Sequence, residues 1–209
     1  MFNICYLLIR CRYLLCASLI TSVAMSAAIA QEGSSIVVVE DGLSLVAAAR
    51  SQVGITLTYD SRYQSIDYPA GDIPLSQGVC TDVVIRAFRS IDIDLQVSVH
   101  QDMEAHFDRY PRNWGLKSTD TNIDHRRVPN LATYFKRQGK AVPISQAGAE
   151  YLPGDIVVWR LSSGLPHIGI VSDRIGSSGN PEVIHNIGLG TREEDNLFDY
   201  DITGHYRWF

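Results

Sequence analysis

Gly78-Val79-Cys80-Thr81-Asp82-Val83-Val84-Ile85-Arg86-Ala87-Phe88 reads as the opening of an amphipathic helix. From Val79 onward Val83, Val84, Ala87 and Phe88 recur at helical spacing and share one face, the pattern of a helix that buries a single stripe. Asp82 and Arg86 stand four positions apart, where opposite charges can pair along a helix. Cys80 then falls in the first turn, among backbone N–H groups that have no intrahelical partner. A cysteine there is either a small buried filler or a thiol kept at the positive end of a helix dipole.

Downstream, Pro129 opens a second helix that runs to about Gln138, and beyond it the composition changes. Asp155 to Arg160, Ile168 to Ser172, Glu182 to Asn186 and Ile202 to Trp208 are short, rich in β-branched residues and separated by Gly, Ser or Pro, which predicts an antiparallel meander. Upstream, residues 31 to 40 form an extended lead-in, and Asp41 caps a helix through about Val53 that Gly54 ends. Ile55 to Tyr59 alternates like a strand, and a loop rich in Tyr, Asp, Pro and Gly reaches Gly78. Residues 94 to 127 hold Pro111, Trp114 and Gly115 without long periodicity, so they read as a decorated connection with a short helix near Met103 to Phe107. Helices followed by a run of antiparallel strands predict an α+β class, with 31–209 as a single domain.

Residues 1–30 are read apart from the fold. Arg10 and Arg12 precede the apolar run Tyr13 to Ile20, which passes into small residues and ends at Ala28-Ile29-Ala30. That is the pattern of a secretory signal peptide, too short and too diluted to span a bilayer. Cys16 follows Leu14 and Leu15 rather than the small residues a lipid-attachment site wants, so no stable membrane anchor is expected after cleavage. The destination is periplasmic or secreted. Cys5, Cys11 and Cys16 leave with the signal, so Cys80 alone remains and no internal disulfide can form. The formal charge of −5 becomes more negative when Arg10 and Arg12 depart, which argues against a nucleic-acid partner.

A lone thiol in an oxidising compartment needs a reason to be there. It attacks as thiolate, and an ordinary pKa of roughly 8.5 leaves little of it near neutrality. A helix N-terminus and a histidine base are the usual remedies, while Asp82 opposes activation unless Arg86 neutralises it. His167, just after Pro166 at the start of a strand, is the candidate base. The helix ending in Gly54, Tyr59, a Cys opening a helix, Pro153-Gly154-Asp155, His167-Ile168-Gly169-Ile170-Val171 and Val183-Ile184-His185 resemble the NlpC-type, papain-like cell-wall cysteine peptidases over about residues 41 to 187. Gly78-Val79-Cys80-Thr81-Asp82, Asn122-Ile123-Asp124-His125-Arg126-Arg127 and Ile202-Thr203-Gly204-His205-Tyr206-Arg207 more closely resemble an exported bacterial family known mainly as a domain of unknown function and grouped with those peptidases. The resemblance implies a papain-like fold and a hydrolase, with Cys80 as nucleophile, His167 as base, His185 as the orienting residue and Tyr59 in the active site. Val79 and Thr81 stand where the NlpC-type pattern has Asp and Ser, and the paired glycines after the tyrosine are absent.

The expected reaction is amide hydrolysis, with a peptidoglycan peptide as the expected substrate. The alternatives are a non-catalytic wall-binding or adaptor module and a different thiol acyl enzyme. Arg126 and Arg127 could bind a substrate carboxylate, since a guanidinium matches that group's planar geometry. His100, His106 and His205 lack metal-ligand spacing, so no metal or other cofactor is expected. Trp114, Trp159 and Trp208 belong to core or groove walls. His185 and Asn186 compete to orient the base. If the strand from His167 turns back through the Gly- and Ser-rich loop, symmetric pairing sets His185 near His167 on one face and turns Asn186 to the other.

Overall fold

Helix α1 spans residues 41–50 and buries Leu45, Val46 and Ala49, one helical stripe. The computed structural model describes residues 41–209; the expected leader (1–30) and lead-in (31–40) lie outside the described residues. The chain leaves α1 through a turn at Gly54, whose φ of +78° suits glycine. The N–H groups of Ile55 and Thr56 both return to the Gln52 carbonyl, so the strand expected from Ile55 shrinks to β1, Thr58–Tyr59. It pairs in parallel with β2, Gln77–Gly78.

Helix α2, Cys80–Arg89, buries Val83, Val84, Ala87 and Phe88 as the stripe predicts. Helix α3, Leu95–Ala105, corrects the reading of that region as a connection with one short helix. Asp94 caps it by accepting the Gln96 N–H, and Leu95, Val99 and Met103 form its buried line. Helix α4, Val128–Arg137, begins at the expected proline.

The strands β3 (Ile156–Arg160), β4 (Pro166–Ile175), β5 (Pro181–His185), β6 (Arg192–Glu194) and β7 (Asp201–Tyr206) form an antiparallel sheet of order β6-β5-β4-β3-β7. The expected meander holds from β3 to β6, but β7 crosses to the opposite edge and pairs with β3. Two anchors account for the crossing. Trp159 Nε1 donates to the Leu197 carbonyl at 2.9 Å, and Leu197 packs on Val157, Trp159, Val171 and Val183. Asp155, at the start of β3, accepts from Arg207 at 2.8 and 2.7 Å and lies 2.7 Å from His205 Nε2.

Strand alternation divides the core. Ile156, Val158, Ile168, Ile170 and Ile184 pack against residues of α1, α2, α3 and α4, while Val157, Trp159, Val171 and Val183 cover the other face. Helices packed on one antiparallel sheet make the α+β class expected. Among the described residues no helix is long and apolar enough to cross a membrane.

Candidate active site

Cys80 opens α2 behind Val79, whose N–H donates to Asp82 Oδ2 at 2.7 Å. Asp82 does not pair with Arg86. Arg126, from the short helical turn Asp124–Arg126, reaches it with Nε and Nη2, both at 2.9 Å, and both side chains are buried. Arg86 instead grips Asp72, with two bonds of 2.9 Å. Thr81 Oγ1 donates to the Arg126 carbonyl at 3.1 Å, so the turn is fastened to the residues flanking the thiol. The fork expected to meet a substrate carboxylate from Arg126 is therefore occupied by Asp82.

The thiol is only 5% exposed, and burial pushes it up to about 12, with the Asp82 charge acting in the same direction. Hydrogen bonds from the N–H groups of Ile168, Thr81 and Cys80 work against that rise without cancelling it. The helix N-terminus thus helps as expected, yet the resting group is a neutral thiol. The β1–β2 pairing sets Tyr59 opposite Gly78, and the tyrosine hydroxyl meets the thiol; burial first, then Cys80, raise the phenol to about 12.

The Ile168 N–H that meets the thiol belongs to the residue after His167. His167 pairs with Trp159 across β3–β4, its ring 5.7 Å from the indole, centroid to centroid. Among the described residues no hydrogen bond joins the thiol to the imidazole; catalytic contacts of this kind commonly tighten only with substrate bound. Ile170 pairs with Ile184, so one step further along the ladder Gly169 stands opposite His185 and His167 lies diagonal to it on the same face. The reach across Gly169 is possible because that residue has no side chain: a Cβ there would stand 3.0 Å from the His185 Cβ. His167 Nε2 and His185 Nδ1 are 2.7 Å apart. Asn186 faces away, its amide donating to the Gly78 carbonyl at 3.0 Å.

His185 Nε2 lies 3.1 Å from Glu194 Oε2, on the neighbouring strand β6. A carboxylate only accepts, so this contact places the His185 proton on Nε2 and leaves Nδ1 as an acceptor. His167 must then donate from Nε2, which leaves its Nδ1 as the lone-pair nitrogen a base requires. Asn196 Nδ2 lies 3.2 Å from the same nitrogen; an amide N–H only donates, so it competes with the carboxylate for His185 Nε2, and the charged, shorter Glu194 contact sets the tautomer. Burial, with the His185 charge second, lowers His167 to about 3; burial also lowers His185, opposed by Glu194.

A cleft of about 160 Å³ opens beside the thiol, lined by Tyr59, Cys80, Trp114, Arg126, Arg127 and Pro166 among others. Arg127 differs from Arg126: its Nη1 is buried with no hydrogen-bond partner among the described residues, and its guanidinium lies 4.2 Å from the Trp114 ring centroid. The cleft thus unites Cys80 with Tyr59 and Arg127, and neither His167 nor His185 lines it. His100 and His106 lie elsewhere, on α3 and just after it, and His205 is held by Asp155 and the Pro143 carbonyl. Of the tryptophans, Trp159 is core, Trp208 packs on Phe88 and Phe135, and Trp114 is a groove wall. Glu194 and the Asp82–Arg126 pair were not read from sequence, because each depends on register or on contacts between distant segments.

Among curated proteins, the uncharacterized protein YijF of Escherichia coli (strain K12) is 54% identical over 167 residues, covering 80% of this chain and 82% of that protein. Among solved structures, NlpC1 from Trichomonas vaginalis is similar at 14% identity and a TM-score of 0.43, over 80% of this chain and 44% of that one. NlpC2 from the same organism is similar at 14% identity and a TM-score of 0.40, over 80% and 46%. This chain thus spans less than half the length of either Trichomonas protein. An N-acetylmuramoyl-L-alanine amidase from Bacteroides uniformis ATCC 8492 is similar at 12% identity and a TM-score of 0.45, over 80% of this chain and 97% of that one. A cysteine at the head of a helix, packed on an antiparallel sheet that carries two linked histidines, is the juxtaposition expected from the sequence motifs. With its family model matching residues 46–208, the chain belongs to the family described as Domain of unknown function (DUF1287).

Proposed function

We propose that this protein is an exported thiol hydrolase that cleaves an amide bond in peptidoglycan peptides, with Cys80 as nucleophile, His167 as base and His185 as the residue that orients it. The observation that carries the reading is the hydrogen-bonded line His167–His185–Glu194, which ends one residue from the N–H that meets the only cysteine among the described residues.

In the acylation step His167 Nδ1 takes the thiol proton while Sγ attacks the amide carbonyl carbon. The oxygen of the tetrahedral adduct is met by N–H groups at the head of α2 and by the Tyr59 hydroxyl. The C–N bond then breaks, and His167 returns the proton to the leaving amine. Water attacks the thioester with His167 again as base, releasing the carboxylate and restoring the thiol. Arg127, whose side chain lines the cleft, holds a carboxylate of the substrate peptide. Export through the 1–30 signal brings the enzyme to its substrate in the periplasm or outside the cell.

Digestion of purified murein by wild type and by Cys80→Ala, with products identified by mass, tests the reading. Release of peptide fragments by wild type alone is the expected result; equal release by the variant rules the mechanism out.

A second reading, a non-catalytic wall-binding module, is favoured by the deep burial of the thiol and by the absence of a thiol–imidazole bond among the described residues. It requires that wild type binds murein and leaves it intact in the same assay.

A further inference from the structure

Trp114 is an exposed aromatic held in an unusual backbone state. It is 59% exposed, and its φ of +62° puts a bulky side chain in the left-handed region, followed by Gly115 at +69°. Bulky residues enter that region rarely, and such positions concentrate where the chain must present a group for binding. Arg127 stacks over one face of the indole, which leaves the other face open.

Trp114 also borders a second cleft, of about 620 Å³, on the loop from Gly115 to Asn122. Its wall is a fixed fan of polar groups. Asn122 Nδ2 donates to the Tyr63 hydroxyl at 2.9 Å and to Asp120 Oδ1 at 3.0 Å, and the Tyr63 hydroxyl donates to Asp120 Oδ2 at 3.0 Å. Asp120 is opposed in sign by Lys117 on the same wall. A flat aromatic face beside hydroxyl, carboxylate and amide groups already locked in place suits a pyranose ring, whose axial C–H groups pack on the indole while its rim hydroxyls meet the polar fan. A wall that carries both signs of charge favours a neutral ligand over an ionic one.

We infer that the Trp114 cleft is a subsite for a neutral pyranose unit, so that the substrate enters as a glycan-attached peptide spanning both sides of the indole. The inference rests on the hydrolase reading for the peptide half, while the saccharide half stands on the second cleft alone.

The test uses the protein carrying Cys80→Ala, which removes turnover, and tri-N-acetylchitotriose as the probe. Binding is followed by tryptophan emission and by saturation-transfer NMR. Covering Trp114 should move the emission to shorter wavelength with a saturable dose dependence, since Trp159 is already buried. Trp114→Ala should weaken saccharide binding by about tenfold or more, and Trp114→Tyr should keep most of it, because a smaller aromatic still offers a face. Unfolding curves of both variants should overlay that of the parent, since the indole lies at the surface. Absence of saturable binding up to about 10 mM, weaker than any useful subsite, overturns the inference, as does undiminished affinity in Trp114→Ala. The two readings fail separately: saccharide binding in a protein that leaves murein intact removes the hydrolase and keeps the subsite, and murein cleavage without saccharide binding does the reverse.

Discussion

Replacing Glu194 by Gln tests the line of hydrogen bonds at its outer end. The side chain is about one-third exposed and lies 3.1 Å from His185 Nε2, so Gln fits the same space and still offers an oxygen to accept from the ring. What it lacks is the negative charge that favours a positive imidazole pair while His167 holds the thiol proton. A hydrogen bond to a charged group is worth about 1.5–3 kcal/mol and a neutral one about 0.5–1.5, so the exchange removes roughly 1–2 kcal/mol, or a factor of about 5 to 30 in kcat. KM should stay within about twofold, because Glu194 is placed to act through His185 and not on substrate. The pH profile adds a second readout. Glu194 opposes the burial that lowers His185, so without its charge the pair binds a proton less readily, and the acid limb of kcat/KM moves to lower pH while the plateau falls. Purified murein, assayed between about pH 2.5 and 8 with folding checked at each pH, supplies the measurement. An unchanged plateau with an unmoved acid limb, in a folded variant, would refute the assignment of Glu194.

Four further outcomes follow. Gly169→Ala should cut turnover by about tenfold or more and cost roughly 1–3 kcal/mol of stability, because the new methyl crowds His185, the Ile184 carbonyl and Trp159 and disturbs the 2.7 Å histidine contact; normal turnover would show that the diagonal contact is dispensable. Arg126→Met leaves Asp82 buried and unpaired and should cost about 3–5 kcal/mol in urea unfolding, with Asp82→Leu in the same chain recovering most of it; a single variant as stable as wild type contradicts the ion-pair account. Acid should destabilise the fold: His125 at about 4 and His167 at about 3 are depressed by burial from an ordinary 6.5, so the stability each contributes is present above pH 6.5 and is lost as pH falls toward those values. Each should remove on the order of 2 kcal/mol between pH 6.5 and 5, and a flat urea midpoint across that window argues against both. Finally, iodoacetamide should alkylate Cys80 at neutral pH at least about a hundredfold more slowly than free cysteine, measured by mass on the protein without residues 1–30; equal rates mean the thiol is not buried in solution.

Legibility in the sequence followed the range of the interaction. α2 and α4 were readable because a helical stripe and a proline at its head are local signals, and the alternation of His185 against Asn186 gave the face of each. The exact register was not readable, since it places Gly169 rather than His167 opposite His185, and only the reach across that glycine restores the contact. α3 was missed although Asp94 caps it and Leu95, Val99 and Met103 recur every four residues. Gln96, His100, Asp102 and Glu104 dilute that stripe, and the nearby Pro111 and Gly115 weigh the region toward loop. Arg126 was assigned to substrate because the guanidinium was visible while its partner, Asp82, lay far away in sequence. Glu194 needed the β5–β6 register, which a short strand of Arg and Glu does not announce.

The energetics of the resting pair constrain how the proposed chemistry can run. Burial raises the thiol and lowers His167, so both shifts oppose a thiolate–imidazolium pair before substrate arrives. In the proposed reaction this favours proton transfer coupled to Sγ–C bond formation, in which the charge leaving sulfur would pass to the carbonyl oxygen and meet the N–H groups at the head of α2 and the Tyr59 hydroxyl. The same burial has a use outside catalysis. In the exported protein proposed above, the Cys80 thiol would be spared oxidation and mixed disulfides because its thiolate is scarce and covered, and it would become nucleophilic only beside a carbonyl that can accept its charge. On this account the Asp82 charge, which raises the thiol and looked like an obstacle beside a nucleophile, adds to that protection, while Arg126 keeps its burial tolerable.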